Sequence, residues 1–379
     1  MADKTVGLYD PARHTPLTEA PWDRAAAQAA IDEILADTRA AYDAEQYWPA
    51  HPLDEGLSGG STTLYFGAAG VFWALRYLGQ GLEFDVSKLA DRNAREYASF
   101  RTYPNHASLL MGDIGVLLLG GNSELLRQRI ANNIDLPPKE LLWGMPGTML
   151  AASFIGERSL FVRQAEQLLA AFIDTPHGPL CVQELYGERH LYLGPAHGFA
   201  GHMLALLRGW EWLDAARRAW VTSAVMRTLS LNARESPDGV NWAAGAEDEA
   251  PRLVQWCHGA PGMAITFADA PFANAELDRL LARAGELIWH AGPLAKGSNL
   301  CHGTAGNGYA FLKLYGRFRE PIWLERARAF AMSAIEQCRA ARRTYGQGRY
   351  SLWTGDPGVA VYLHDCLRAE ARFPTIDVF

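Results

Sequence analysis

The sequence predicts an all-α fold, an (α/α)7 toroid in which seven helical hairpins close into a ring. Three observations point to it. A G-x-x-G turn leading into an apolar run occurs seven times, at Gly67-Ala68-Ala69-Gly70, Gly112-Asp113-Ile114-Gly115, Gly144-Met145-Pro146-Gly147, Gly198-Phe199-Ala200-Gly201, Gly259-Ala260-Pro261-Gly262, Gly303-Thr304-Ala305-Gly306 and Gly355-Asp356-Pro357-Gly358. These copies recur roughly every 30 to 60 residues, the period of repeat architectures. Most are preceded by an amphipathic stretch and followed by one that is apolar on nearly every side.

Taken in order, the amphipathic stretches are 25–42, 86–97, 157–172, 215–232, 275–291 and 322–340, each with its charges on one face of a helix. They are expected on the outside of the ring. The apolar runs 70–78, 147–154, 201–207, 262–268, 306–315 and 358–366 are expected inside it. Glycine suits the turns because it accepts positive φ and lets backbones approach closely. Inner-helix N-termini then converge on one end, where unpaired N–H groups and the helix dipole would favour an anionic or polar ligand. Segment 176–192 lacks sustained alternation and reads as a long connection; a second, 236–253, carries the turn signal Pro237-Asp238-Gly239. The acidic run Glu247-Asp248-Glu249 is expected on a solvated surface.

Although 379 residues would allow two or three domains, repetition at one period argues for a single domain over residues 1–379. A chain that is 49% hydrophobic, 11% aromatic and 20% charged can bury a large core. With a net charge of -7 it offers no basic footprint for nucleic acid. No transmembrane segment and no signal-peptide pattern is visible, so a cytoplasmic location is expected. Five cysteines, an odd number widely spread, read as reduced thiols; Cys181, Cys338 and Cys366 are expected to be buried apolar side chains.

Two turns carry adjacent cysteine and histidine, Cys257-His258 and Cys301-His302. A toroid brings consecutive turns together, so Cys257, Cys301 and His302 would supply two thiolates and an imidazole, three of the four ligands of tetrahedral Zn2+. The fourth position would stay open, as in a catalytic site; His258 is an alternative to His302. A sulfur-rich zinc site suits activation of a thiol better than hydrolysis, and no H-E-x-x-H occurs. In a third turn His197 holds the place before the glycine that His258 and His302 hold in theirs, and is a candidate proton carrier. His202 reads as packing.

The segments Trp256-Cys257-His258-Gly259-Ala260-Pro261-Gly262, Leu300-Cys301-His302-Gly303-Thr304-Ala305-Gly306 and Tyr192-Leu193-Gly194-Pro195-Ala196-His197-Gly198 resemble the lanthionine synthetase C-like (LanC-like) family, above all its stand-alone, eukaryotic-type branch. So do Met111-Gly112-Asp113-Ile114-Gly115, Leu141-Leu142-Trp143-Gly144 and the ending Ala371-Arg372-Phe373-Pro374. The resemblance implies zinc on Cys257, Cys301 and His302, and His197 as acid/base. It also implies a zinc-dependent transferase making a thioether by Michael addition of a thiolate, glutathione for the stand-alone branch, to dehydroalanine or dehydrobutyrine in a peptide or protein. Lys296 and, through a less regular segment, Arg343 match family residues that contact glutathione. Where cyclases carry an arginine four residues before the first zinc cysteine this chain has Leu253, and Glu140 and Glu184 are the candidates for their aspartate. A lanthionine cyclase acting on a dehydrated precursor peptide and a non-catalytic glutathione- or partner-binding protein are the alternatives; a toroidal prenyltransferase would need an aspartate ligand that this pattern lacks.

Overall fold

The structure, a computed structural model, describes residues 7–54, 60–97, 107–185 and 187–379, and these contain fourteen α-helices. Outer and inner helices alternate along the chain. The first pairs are α1 (Arg24–Ala40) with α2 (Ala68–Tyr77), α3 (Val86–Tyr97) with α4 (Asp113–Leu119), and α5 (Glu124–Asn132) with α6 (Met145–Phe154). Then come α7 (Arg158–Ala170) with α8 (Phe199–Arg208), α9 (Ala215–Asn232) with α10 (Ala260–Phe267), α11 (Ala275–Ala291) with α12 (Thr304–Phe318), and α13 (Pro321–Tyr345) with α14 (Asp356–Arg368). Each even-numbered helix touches the next, and α14 touches α2, so the seven inner helices close a ring. The outer α1 packs on α14 and α13 bridges α12 and α14, which seals the seam between the ends of the chain.

Local sequence explains the two layers. In α1 the Asp23 carboxylate caps the amides of Ala25 and Ala26, and only Ala27, Ala30, Ile31, Ile34 and Thr38 are buried, a stripe at helical spacing. The inner α2 instead buries an unbroken run from Ala68 to Leu75. Helices α4 and α5, of 7 and 9 residues, are too short to show a period, and the sequence reading set no bounds for them.

Of the two reasons expected for glycine at the turns, close backbone approach holds at all of them and positive φ at one. Among the glycines that cap inner helices only Gly259 has positive φ, at 103°; the other six are extended, between -110° and -145°. Close approach is the requirement. A Cβ on Gly306 would lie 1.9 Å from the Leu300 carbonyl oxygen, and one on Gly67 would lie 1.9 Å from that of Ser61. The same crowding answers the helix-terminus question. The first amides of the inner helices are taken by carbonyls seven residues back: Ala68 donates to Ser61 (2.9 Å), Phe199 to Tyr192 (3.0 Å), Thr304 to Gly297 (2.9 Å) and Asp356 to Arg349 (2.8 Å). Helix-end N–H groups therefore do not supply an anion site at these turns, because backbone already satisfies them.

The long connections also differ. Segment 176–192, expected to be an irregular connection, holds three strands of two hairpins, β1 (Ile173–Thr175), just before it, with β2 (Gly178–Leu180) and β3 (Gln183–Leu185) with β4 (Glu188–His190). A third, β5 (Arg234–Ser236) with β6 (Gly239–Asn241), uses Pro237-Asp238 as its turn. Strands of three residues are too short to reveal alternation. Glu247, Asp248 and Glu249 are exposed, as expected. All five cysteines are free and buried. No helix among the described residues is long and apolar enough to cross a membrane.

Candidate thiol and metal site

The residue two places before the first glycine of a turn is stitched to its counterpart in the next repeat. The Cys257 amide donates to the Cys301 carbonyl (3.3 Å), Cys301 to Trp353 (3.0 Å), Trp353 to Tyr65 (3.3 Å) and Tyr65 to Leu110 (3.0 Å). Five of the seven repeats are thus joined by one backbone ladder around the rim. Where two adjacent rungs are cysteine, the ladder alone sets two sulfurs side by side. Both are almost fully buried, and the Cys301 thiol hydrogen-bonds to Cys257.

Electrostatics makes the two thiols unequal. Cys257 is held below the ordinary thiol range because Cys301 donates to it, because Gln255 Nε2 donates to its Sγ at 2.9 Å, and because His197 and Lys296 add positive charge, together outweighing burial. Cys301 is pushed well up by burial and by the negative charge of its neighbour. His302, whose backbone amide is fixed by Asn299 Oδ1 at 3.0 Å, is pulled down to about 3 by burial and by the charges of Lys296, Arg349 and Arg13. It is therefore neutral at pH 7, the form in which imidazole binds metals. As the side chains stand, no group of three or more His, Cys, Asp or Glu among the described residues has a metal-holding arrangement. The sulfurs meet; His302 does not complete a cluster with them.

His197 lies beside this pair. Its Nδ1 is 2.7 Å from Oε2 of Glu140, a fully buried carboxylate that also accepts the amides of Trp143 (2.6 Å) and Leu142 (3.1 Å). Burial pulls the imidazole down, but the hydrogen bond and charge of Glu140, with that of Cys257, raise it above 6.5. Glu140 is thus the carboxylate behind His197, while Glu184 sits on the exposed side of β3. His258 packs between two other rings, its own lying 6.4 Å from that of His197 and 5.7 Å from that of Tyr192, and burial pulls it down to about 4. His202 is fully buried against Gln183 and Phe172, a packing residue as expected.

Around the thiols the charge is positive. Lys296 is exposed on the loop before Cys301, and its charge acts on both cysteines and on His302. Arg343 lies on the exposed last turn of α13. Arg349, paired with Asp54 at 2.7 Å, is the arginine whose charge reaches His302 and Tyr65. Arg13 also acts on His302 and comes from the N-terminal segment, which crosses to the Lys296 loop by hydrogen bonds from Thr15 to Pro293 (2.9 Å) and from Ala295 to Arg13 (2.9 Å). Sequence reasoning missed Gln255, Asn299, Arg349 and Arg13; the first two lie within three residues of the cysteine–histidine motifs.

With the ring, the cysteine pair and the His197–Glu140 couple in place, comparison is decisive. The model of the lanthionine synthetase C-like protein family matches residues 23–378. The chain belongs to this family. It is 30% identical over 259 residues to glutathione S-transferase LANCL1 of Danio rerio, covering 64% of this chain and 62% of that protein. It is 29% identical over 259 residues to LanC-like protein GCL1 of Arabidopsis thaliana, covering 63% and 58%. The matched part thus spans about six-tenths of these curated relatives' length. Nisin cyclase shares the fold, with a TM-score of 0.58 and 16% identity over 89% of this chain and 93% of that one. The all-α toroid of this LanC-like chain is the architecture that the seven glycine turns predict.

Proposed function

We propose that this LanC-like protein is an enzyme that adds a thiolate, with glutathione as the favoured donor, to the β-carbon of dehydroalanine or dehydrobutyrine residues, forming a thioether. The observation that carries this reading is the placement of two unequal thiols on adjacent rungs of the rim, with a carboxylate-backed imidazole beside them. The name of the Danio rerio relative, a glutathione S-transferase, supports the choice of thiol.

The donor set suits zinc in kind: two soft sulfurs already in contact and an imidazole kept neutral. Cys257, Cys301 and His302 would hold the ion. When bound, zinc lets a substrate thiol act as thiolate at neutral pH. The chain's own residues do the rest. As the sulfur–carbon bond forms, the alkene electron pair moves onto the α-carbon and its carbonyl, and that carbon must gain a proton. His197, whose imidazolium form Glu140 favours, would donate it from Nε2 while Nδ1 stays on the carboxylate. The proton released by the incoming thiol would restore it. Lys296 would meet one carboxylate of glutathione, and Arg343, at the rim, would meet the other only from outside; Arg349 and Arg13 add to the same field.

The test is to incubate zinc-loaded protein with glutathione and a dehydroalanine peptide and to read the products by mass spectrometry. A peptide heavier by one glutathione is expected. A peptide carrying its own cysteine would report cyclisation if it lost its free thiol in preference to gaining glutathione. No adduct of either kind from protein of verified metal content would sink the reading.

A further inference from the structure

The family-like ending of the chain, Ala371-Arg372-Phe373-Pro374, has no part in the chemistry above, yet it lies in an unusual place. Phe379 contacts Phe154 of α6, Asp377 pairs with Arg208 of α8 and Lys313 of α12, Phe373 packs on Tyr309 of α12, and Arg372 lies over Tyr77 of α2. A segment this short reaches helices from so many sectors of a ring only by lying across its bore. We propose that the C-terminal segment 372–379 is the floor of the thiol site, and that Phe373 is a positioning residue for the cysteine-bearing turns.

Three observations carry this. Phe373 stacks on Trp256, the residue before Cys257, at 5.9 Å and 12°, and packs on Trp353 at 5.4 Å. Trp353 in turn offers its carbonyl to the Cys301 amide, so one ring supports both rungs. Trp353 is also tied to the segment by its indole N–H, which donates to Thr375 Oγ1 at 3.2 Å. Thr375 itself has φ of 59°, which a β-branched residue adopts only when its surroundings impose it. Asp377 imposes it: its carboxylate accepts the Phe373 amide (2.7 Å), its amide donates back to the Phe373 carbonyl (2.9 Å), and its charge is locked to Lys313, a lysine with 1% of its side chain exposed. Lys313 also pairs with Asp269, so the hook is anchored to α12 and to the C-terminal end of α10, the two helices that follow the cysteine-bearing turns.

The proposal rests on Cys257 and Cys301 being the working thiols, but its test needs neither metal nor substrate. Alkylation rates of individual cysteines are measured on the metal-free full chain by peptide mass spectrometry, with Cys181, Cys338 and Cys366 as internal references. Phe373→Leu is compared with Phe311→Leu, an equally buried ring that packs on Trp289, Trp323 and Phe330 instead. Phe373→Leu is expected to raise labelling of Cys257 and Cys301 about tenfold over the references through local opening, and Phe311→Leu to leave that ratio unchanged at a similar loss of Tm. Thr375→Val, which removes the indole acceptor at constant volume, is expected to raise Cys301 labelling about threefold and carries the test if Phe373→Leu does not fold. Equal ratios in the two leucine variants, or no change in Thr375→Val, would overturn the proposal. A failed adduct assay with altered labelling would instead retire the proposed function and leave the floor standing.

Discussion

Two arcs of the rim share one backbone and differ in what they carry. From repeat 5 to repeat 6 the rungs are Cys257 and Cys301; onward through repeats 7, 1 and 2 they are Trp353, Tyr65 and Leu110, joined by the same amide-to-carbonyl bonds. The second arc shows that the ladder needs no cysteine, and the first shows what cysteine gains from it: two sulfurs fixed at contact without a disulfide. Scaffold and chemistry are therefore separable, and substitutions at the glycines and at the thiols should fail in different ways.

The largest difference should be between Gly306→Ala and Cys301→Ala. A methyl at Gly306 would lie 1.9 Å from the Leu300 carbonyl, so a cost of roughly 4 kcal/mol or more is expected, enough to leave little folded protein. Removing the Cys301 sulfur leaves only a small cavity and should cost about 1 kcal/mol. Urea denaturation of both proteins measures this, and comparable losses would erase the distinction between the arcs. Next, His197→Asn should lower the rate of adduct formation by about two to four orders of magnitude while leaving the melting curve nearly in place, the range for losing a general acid.

The pH profile sharpens the account further. The His197 pKa is raised above 6.5 in the folded protein, so its pairing with Glu140 contributes fully below that pH and is lost as pH rises through the folded value. Turnover limited by proton donation should fall on the same alkaline side. Glu140→Gln removes the charge that raises His197, so the fall should move to lower pH; an unmoved alkaline limb would deny Glu140 that role. The smallest effect is expected at the rim. Lys296→Ala should raise the KM for glutathione several-fold at low salt and less at high salt, because an exposed charge is screened. Arg349→Ala should exceed Arg343→Ala in the same assay, since of these two arginines it is Arg349 whose charge is felt at His302.

The ring was legible in the sequence because a turn repeated with its apolar run is a signal that does not depend on any one residue. The outer helices 215–232 and 275–291 were read to the residue, since long amphipathic stretches state their own bounds. Three-residue strands and the short α4 and α5 were not, because neither shows a full period. Cys257, Cys301, His302 and His197 stand out as candidates by their places in consecutive turns; the structure brings the two sulfurs and His197 together and leaves His302 outside that group. What put the two sulfurs together, the amide ladder, is invisible in sequence; the close approach behind the glycines is legible there, but not its partner, a carbonyl from earlier in the same turn lying where a Cβ would be. Glu140 was one of two candidates, and only folding could bring it, 57 positions away, against His197. Arg343 matches a family pattern in sequence, whereas the charge of Arg349, on the loop that precedes α14, is the one that reaches His302.

Cobalt substitution tests the central claim most directly, because sulfur-to-cobalt charge-transfer bands report thiolate ligands on the metal itself. One cobalt per chain is expected, with near-ultraviolet bands that weaken in Cys257→Ser and in Cys301→Ser and visible bands that change in His302→Ala, all on a ring that keeps its helical circular dichroism. A cobalt spectrum without thiolate bands, or bands untouched by either serine variant, would contradict the assignment of these adjacent rungs as the metal and thiol site.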